Sequence, residues 1–153
     1  MKLAYTYDHH NACAEWKRRE LQDWLTDVFE APEVEMRLRC TPEIRRHVLG
    51  EFQTAGWATN VKIEQGLGLT VFALHDDLAF QLQTGNMSRA PYDLLKLQHL
   101  YQANRIQAAA LALPTKECAD KISSNVAHAE RLCSELEVFN RIITVPILVV
   151  AFN

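Results

Sequence analysis

Five glycines and five prolines in 153 residues leave little room for a long flexible linker, and no segment is repeated or low in complexity. Cysteine is scarce as well. Cys13, Cys40, Cys118 and Cys133 stand far apart with no CxxC spacing, which favours free buried thiols over disulfides or a zinc site. Long hydrophobic runs are missing: the longest, Val145 to Phe152, is about a third of a membrane span, so no membrane partner is expected. The opening MKLAYTYDHH has no apolar signal core, and the expected location is the cytoplasm. An excess of positive charge is also absent. The formal net charge of −3 argues against indiscriminate nucleic-acid binding but leaves room for a local basic patch.

What remains is an ordinary globular composition, 48% hydrophobic and 23% charged, read as a single domain over 1–153 with a substantial core. Lys2 to Tyr7 reads as a short strand. Asn11, or Asp8 before it, caps a helix to about Phe29, with Leu21, Trp24, Leu25 and Val28 as its apolar stripe and Lys17, Arg18, Arg19 and Glu20 facing solvent. Glu33 to Arg39 alternates like a short edge strand or an extended linker. Thr41–Pro42 starts a second helix that stops at Gly56. Ala58 to Glu64 is a strand, and a turn at residues 65–68 leads into the stretch around which the chain is organised.

That stretch, Leu67 to Asn86, reads as two strands folded on Asp76–Asp77. With a two-residue hairpin loop, facing residues sum to 153: His75 meets Leu78, Ala73 meets Phe80, and Phe72 meets Gln81. Strict alternation then predicts a core face of Val71, Ala73, Leu78, Phe80 and Leu82. The other face carries Thr70, Phe72, Gln81 and Gln83. Downstream, Pro91 starts a helix to about Ala103. Ile106 to Leu113 is a strand apolar enough to be buried on both faces. A short helical turn opens at Pro114–Thr115, a helix covers about Asn125 to Asn140, and Pro146 to Phe152 is a last buried strand. Strands alternating with helices imply right-handed parallel crossovers. The fold class is therefore α/β: a three-strand antiparallel meander plus later parallel strands in one mixed sheet, flanked by helices.

The order helix, meander, helix, buried strand is also that of the restriction-endonuclease-like nucleases. Several segments resemble BglII- and BstYI-type restriction enzymes: Gly56–Trp57 before the meander, Leu78 to Gln83, Gly85–Asn86, and the Tyr92-Asp93-Leu94 helix start. The similarity continues through Ala110–Glu117, the helix around Glu130 to Glu137, Val145–Phe152, and the opening Tyr7-Asp8-His9-His10. The resemblance implies a site-specific deoxyribonuclease, dimeric and Mg²⁺-dependent, with an Asp and a Glu nine residues apart holding the ion and a Gln two residues beyond the Glu. Oxygen ligands, preferably anionic, are what a hard divalent cation requires, and the ion activates water and stabilises charge at the phosphate.

This sequence departs from that pattern at both metal positions. Gln81 stands at the Glu position and Phe72 at the Asp position, while Gln83 matches the family's Gln. The expected site is degenerate, with Mg²⁺ relevant only if activity remains. Glu64 and Asp77 are the rescue candidates, although Asp76 and Asp77 lie about 13–17 Å along the strand from Gln81. Arg89, with Asn86 and Ser88, is the expected nucleic-acid contact beside the site. Lys17-Arg18-Arg19 and Arg45–Arg46 read mainly as solvated helix faces. Asp8, His9, His10 and Cys13 have poor spacing for a metal, and Cys118, His128 and Cys133 read as core and helix residues. Three functions stay open: a double-stranded-DNA-binding homodimer with cleavage impaired or lost; a non-catalytic dimeric interaction or regulatory module for protein or a small ligand; and a small-molecule enzyme using His75 and Asp77.

Overall fold

The computed structural model describes residues 1–153. Six strands form one mixed sheet: β1 (Leu3–His9), β2 (Ala58–Lys62), β3 (Thr70–His75), β4 (Leu78–Leu82), β5 (Ala108–Pro114) and β6 (Ile147–Phe152), in the order β1-β6-β5-β4-β3-β2. The meander β2-β3-β4 is antiparallel, β4-β5-β6 is parallel, and β1 closes the far edge antiparallel to β6. These are the predicted antiparallel and parallel halves. Strand β5 is buried along its whole length: Ala108, Ala110 and Ala112 face one layer, and Ala109, Leu111 and Leu113 face the other. Alanine and leucine suit this position because helices cover both sides of a parallel strand.

The two layers hold different helices. One face is covered by α1 (Ala12–Arg18), α2 (Gln22–Asp27), α3 (Thr41–Thr54) and α5 (Lys116–Ile122); α4 (Ala90–Gln102) and α6 (Ala129–Val138) cover the other. The first layer packs Trp16, Trp24, Phe52 and Trp57 into an aromatic cluster, with Trp16 stacked on Trp57 at 6.0 Å and Phe52 on Phe80 at 4.2 Å between centroids. The second layer is aliphatic, built on Leu94, Leu97, Leu132 and Leu136.

The first helix differs from the expected single span. It breaks after Arg18, and Glu20 takes a left-handed backbone with φ of 57°. The spacing is consistent with the break. Trp16 and Leu21 are five residues apart, a step that cannot put both on one stripe of a continuous helix. The kink lets Trp16 reach the sheet, where its Nε1 donates to Ala109 O at 3.1 Å, while Leu25 and Phe29 enter the same core layer from beyond the break. Arg19 is consequently not a solvated charge: its guanidinium donates to both carboxylate oxygens of Asp77 and to Glu15. Residues 33–39 form no strand: an irregular linker at 35–37 lies between turns, the other of the two expected forms. The last long helix begins at Ala129, later than expected. Asn125 is left-handed, and His128 accepts from the Arg131 N–H as the cap. The four thiols are free, and burial pushes those of Cys118 and Cys133 up to about 11, which keeps them protonated and inert.

Candidate functional site

The hairpin arithmetic holds where the strands pair: His75 faces Leu78, Leu74 faces Ala79 and Ala73 faces Phe80. The ladder stops there. Beyond Ala73, β3 parts from β4, and the Phe72 N–H donates at 3.0 Å to the side-chain oxygen of Gln81 instead of to a backbone carbonyl. Opposite Phe72, Asn60 of β2 is left-handed, with φ of 52°. Alternation slips at this level. Val71 lies in the aliphatic layer with α4, whereas both Phe72 and Ala73 lie in the aromatic layer with α3.

The expected faces of Val71 and Phe72 are thereby corrected. Phe72 does not share the polar face with Gln81 and Gln83. It is 6% exposed, packs edge-on against Phe52 and Phe80, and carries the Arg45 guanidinium over its ring at 5.4 Å. Freed from the ladder, the strand turns its aromatic side chain into the core, a burial that contributes about 2–3 kcal/mol.

Where the strands splay, a cleft of about 480 Å³ opens between the start of α3 and the start of α4. Its floor is Gln81 and Gln83, as predicted, and two α4 residues that sequence reasoning did not single out as site residues: Asp93 and Lys96. Gln81 Nε2 donates to Asp93 Oδ1 at 2.9 Å, and Gln83 Nε2 donates to Asp93 Oδ2. Lys96 Nζ lies 2.6 Å from Asp93 Oδ1 and donates to Thr70 O at 3.0 Å. Gln83 Oε1 accepts from Gly85 N at 2.7 Å. Both amide oxygens thus face backbone N–H groups and both amide nitrogens face one carboxylate. The side chains of Asp93 and Lys96 are only 5% and 12% exposed, so this is a buried ion pair whose polar atoms are all partnered.

A signal for Asp93 existed. It falls between Ala90, Leu94 and Leu97 on the inward stripe of α4, where an acid is out of place unless paired, and Lys96 follows at the three-residue spacing of a helical neighbour. The cleft walls add Arg45 from α3 and Arg89, the latter as expected. Asn86 accepts from Ser88 N at 2.9 Å to start the 3-10 turn over Met87–Arg89. Asn86 also lines an adjoining groove of about 390 Å³ with Arg39, whereas Ser88 lies on the exposed outside of that turn and lines neither.

The rescue candidates lie elsewhere. Glu64 is exposed in the turn after β2 and does not line the cleft. Asp77 sits at the opposite end of the hairpin, held well below the usual carboxylate range by the Arg19 hydrogen bonds. His75 stands beside Asp77 in a shallow pocket with Arg19 and no further titratable group except Asp76, and Asp77 is already committed to Arg19. The donors present do not fit a divalent ion. The cleft has one carboxylate, shared among three donors, and nowhere in the chain are three acidic, imidazole or thiol groups placed so that they could hold a metal ion together.

A sequence-family model described as restriction endonuclease BglII/BglIII matches residues 4–152. No curated protein sequence matches the chain. Among solved structures, restriction endonuclease BglII complexed with a DNA 16-mer superposes with a TM-score of 0.83 at 13% identity, over 99% of this chain and 76% of that one. Free BglII superposes with a TM-score of 0.73 at 13% identity, over 100% and 80%. At that identity the two structures speak to the fold, which they share. With a family model running from the first strand to the last, the chain belongs to the BglII/BglIII restriction endonuclease family.

Proposed function

We propose that the protein binds double-stranded DNA across the cleft over Gln81 and Gln83 and that phosphodiester cleavage is lost or strongly impaired. The observation that carries this reading is the charge of the cleft. Asp93 and Lys96 cancel, and Arg45 and Arg89 remain as uncompensated cations on its walls, although the chain as a whole is acidic. Basic groups converging on one groove supply the sequence-independent part of duplex affinity. The family and the DNA-bound BglII relative support the choice of ligand. Loss of cleavage is supported by the neutral amide of Gln81 at the position where the family pattern has Glu, and by the commitment of Asp93 to Lys96.

Two uncompensated phosphate contacts per chain, from Arg45 and Arg89, predict that log K falls against log salt with a slope of about −1.8. Arg89→Ala is expected to flatten the slope by about 1 and to weaken binding roughly uniformly across sequences. Fluorescence anisotropy with a labelled duplex measures both. No binding at low salt, or a slope near zero, ends the proposal. Supercoiled plasmid incubated with Mg²⁺ or Mn²⁺ stays intact, and the appearance of nicked or linear product would refute the loss of cleavage.

A second reading, that the protein acts as a dimeric interaction module, is favoured by one feature. Pro91, Leu94 and Leu95 of α4 and Phe139, Ile142 and Ile143 after α6 line an apolar groove of about 210 Å³, with Leu95 56% and Ile142 64% exposed. Such a patch marks an association surface. The same reading predicts no basic surface around Gln83, and Arg45 and Arg89 count against it. Self-association serves either reading. Ile142→Glu is expected to convert a sedimenting dimer to monomer, and a wild-type chain that sediments as a monomer at micromolar concentration refutes the dimer.

A further inference from the structure

The cleft carries a cation of its own. Lys96 projects from the second turn of α4 between the parted ends of β3 and β4, where Asp93 Oδ1 and the Thr70 carbonyl hold its ammonium at 2.6 Å and 3.0 Å. An ammonium has three donors, so one is left without an oxygen partner, beside the Tyr92 ring that the ammonium lies over at 5.9 Å and that lines the cleft with it. The oxygens a metal would need are taken. Asp93 Oδ1 receives Lys96 and Gln81, Oδ2 receives Gln83, and the two amide oxygens receive the Phe72 and Gly85 N–H groups. A divalent ion entering this network would meet a fixed positive charge and would have to strip hydrogen bonds from every ligand.

We infer that Lys96 is the resident cation of the cleft, that it excludes divalent ions, and that a phosphodiester is held there by the Lys96 ammonium without metal. The exclusion of metal stands on the cleft's own side chains; the phosphodiester rests on the DNA-binding reading above. The arrangement also assigns Asp93 a positioning role. Its carboxylate fixes the ammonium and both glutamine amides at once and touches the ligand only through them.

Two measurements on the full chain separate these parts. In the first, Mn²⁺ is titrated without DNA and free ion is followed by electron paramagnetic resonance. Wild type shows no saturable binding up to about 1 mM, the weak end of protein oxygen sites, and no rise in melting temperature with Mn²⁺. Lys96→Met removes the ammonium and leaves the Asp93 carboxylate uncompensated, so Mn²⁺ raises its melting temperature, and adding Asp93→Asn abolishes that rise. Saturable Mn²⁺ binding by wild type that Asp93→Asn abolishes overturns the inference, whether or not Lys96→Met folds. So does a folded Lys96→Met whose stability ignores Mn²⁺. In the second measurement, duplex affinity is the same in EDTA and in Mg²⁺ at matched ionic strength, and a tenfold gain with Mg²⁺ overturns metal-free binding. No duplex binding in either buffer refutes the DNA reading, while the Mn²⁺ titration still decides the cation.

Discussion

Phe72→Asp is expected to cost at least about 4 kcal/mol of stability, which places it among the exceptional single substitutions, and to create no metal site. Two losses combine. The ring leaves a cavity between Phe52 and Phe80, and removing a core phenylalanine alone costs about 3–5 kcal/mol. A carboxylate then replaces it in a layer where only Arg45 lies within reach, and an incompletely paired buried charge adds to the cost. Against a typical total of about 5–15 kcal/mol, at least about a quarter of the stability is lost. Urea denaturation with a fluorescence readout measures the change in midpoint. A variant as stable as wild type would mean that residue 72 turns into the cleft after all. Metal binding by the Phe72→Asp, Gln81→Glu double variant would mean the same.

Asp93→Ala is the second large effect. It leaves the buried Lys96 ammonium without its counter-ion and removes the acceptor of both Gln81 and Gln83. Truncating one member of a buried, hydrogen-bonded ion pair costs about 3–5 kcal/mol, most of it the penalty of the charge left behind. In a chain of this length that lowers the melting temperature by on the order of 10 °C. Asp93→Asn keeps one acceptor and costs less, and replacing Asp93 and Lys96 together by apolar residues recovers much of the loss. Calorimetry on the three variants tests the ordering. An Asp93→Ala protein that melts within a degree or two of wild type would show that the ion pair is not buried in solution.

These two residues also mark what was legible in the chain. The pairing register around Asp76–Asp77 follows from turn length alone and holds from His75–Leu78 to Ala73–Phe80, while the expected Phe72–Gln81 facing pair is replaced by a hydrogen bond from the Phe72 N–H to the Gln81 side chain. The face that Phe72 presents did not follow. Alternation presumes a continuous ladder, and here the ladder ends at Ala73 while Asn60 bends the neighbouring strand. Gln83 and Arg89, singled out from the hairpin and the loop after it, both line the cleft. Asp93 lies ten residues from Gln83, on a helix that reads as core packing. Its role appears only when α4 is laid against the sheet, because a carboxylate that looks like an error in an apolar stripe is matched there by groups from another element. Trp16 shows the same limit. Its five-residue distance from Leu21 hints at a break, but only the sheet carbonyl it reaches explains why the break is there.

Helix α4 joins two surfaces that so far stand apart. Asp93 and Lys96 point from it into the cleft, while Leu95 points from it into the apolar groove. A helix of this kind turns as one rigid axle, with side chains reaching some 5–6 Å from its axis. By that geometry a roll of about ten degrees would shift Lys96 by about 1 Å, enough to lengthen its 3.0 Å bond to the Thr70 carbonyl beyond hydrogen-bond reach. The cleft and the groove are thus built on two faces of the same thirteen-residue helix, so a substitution that reorients α4 alters both surfaces at once.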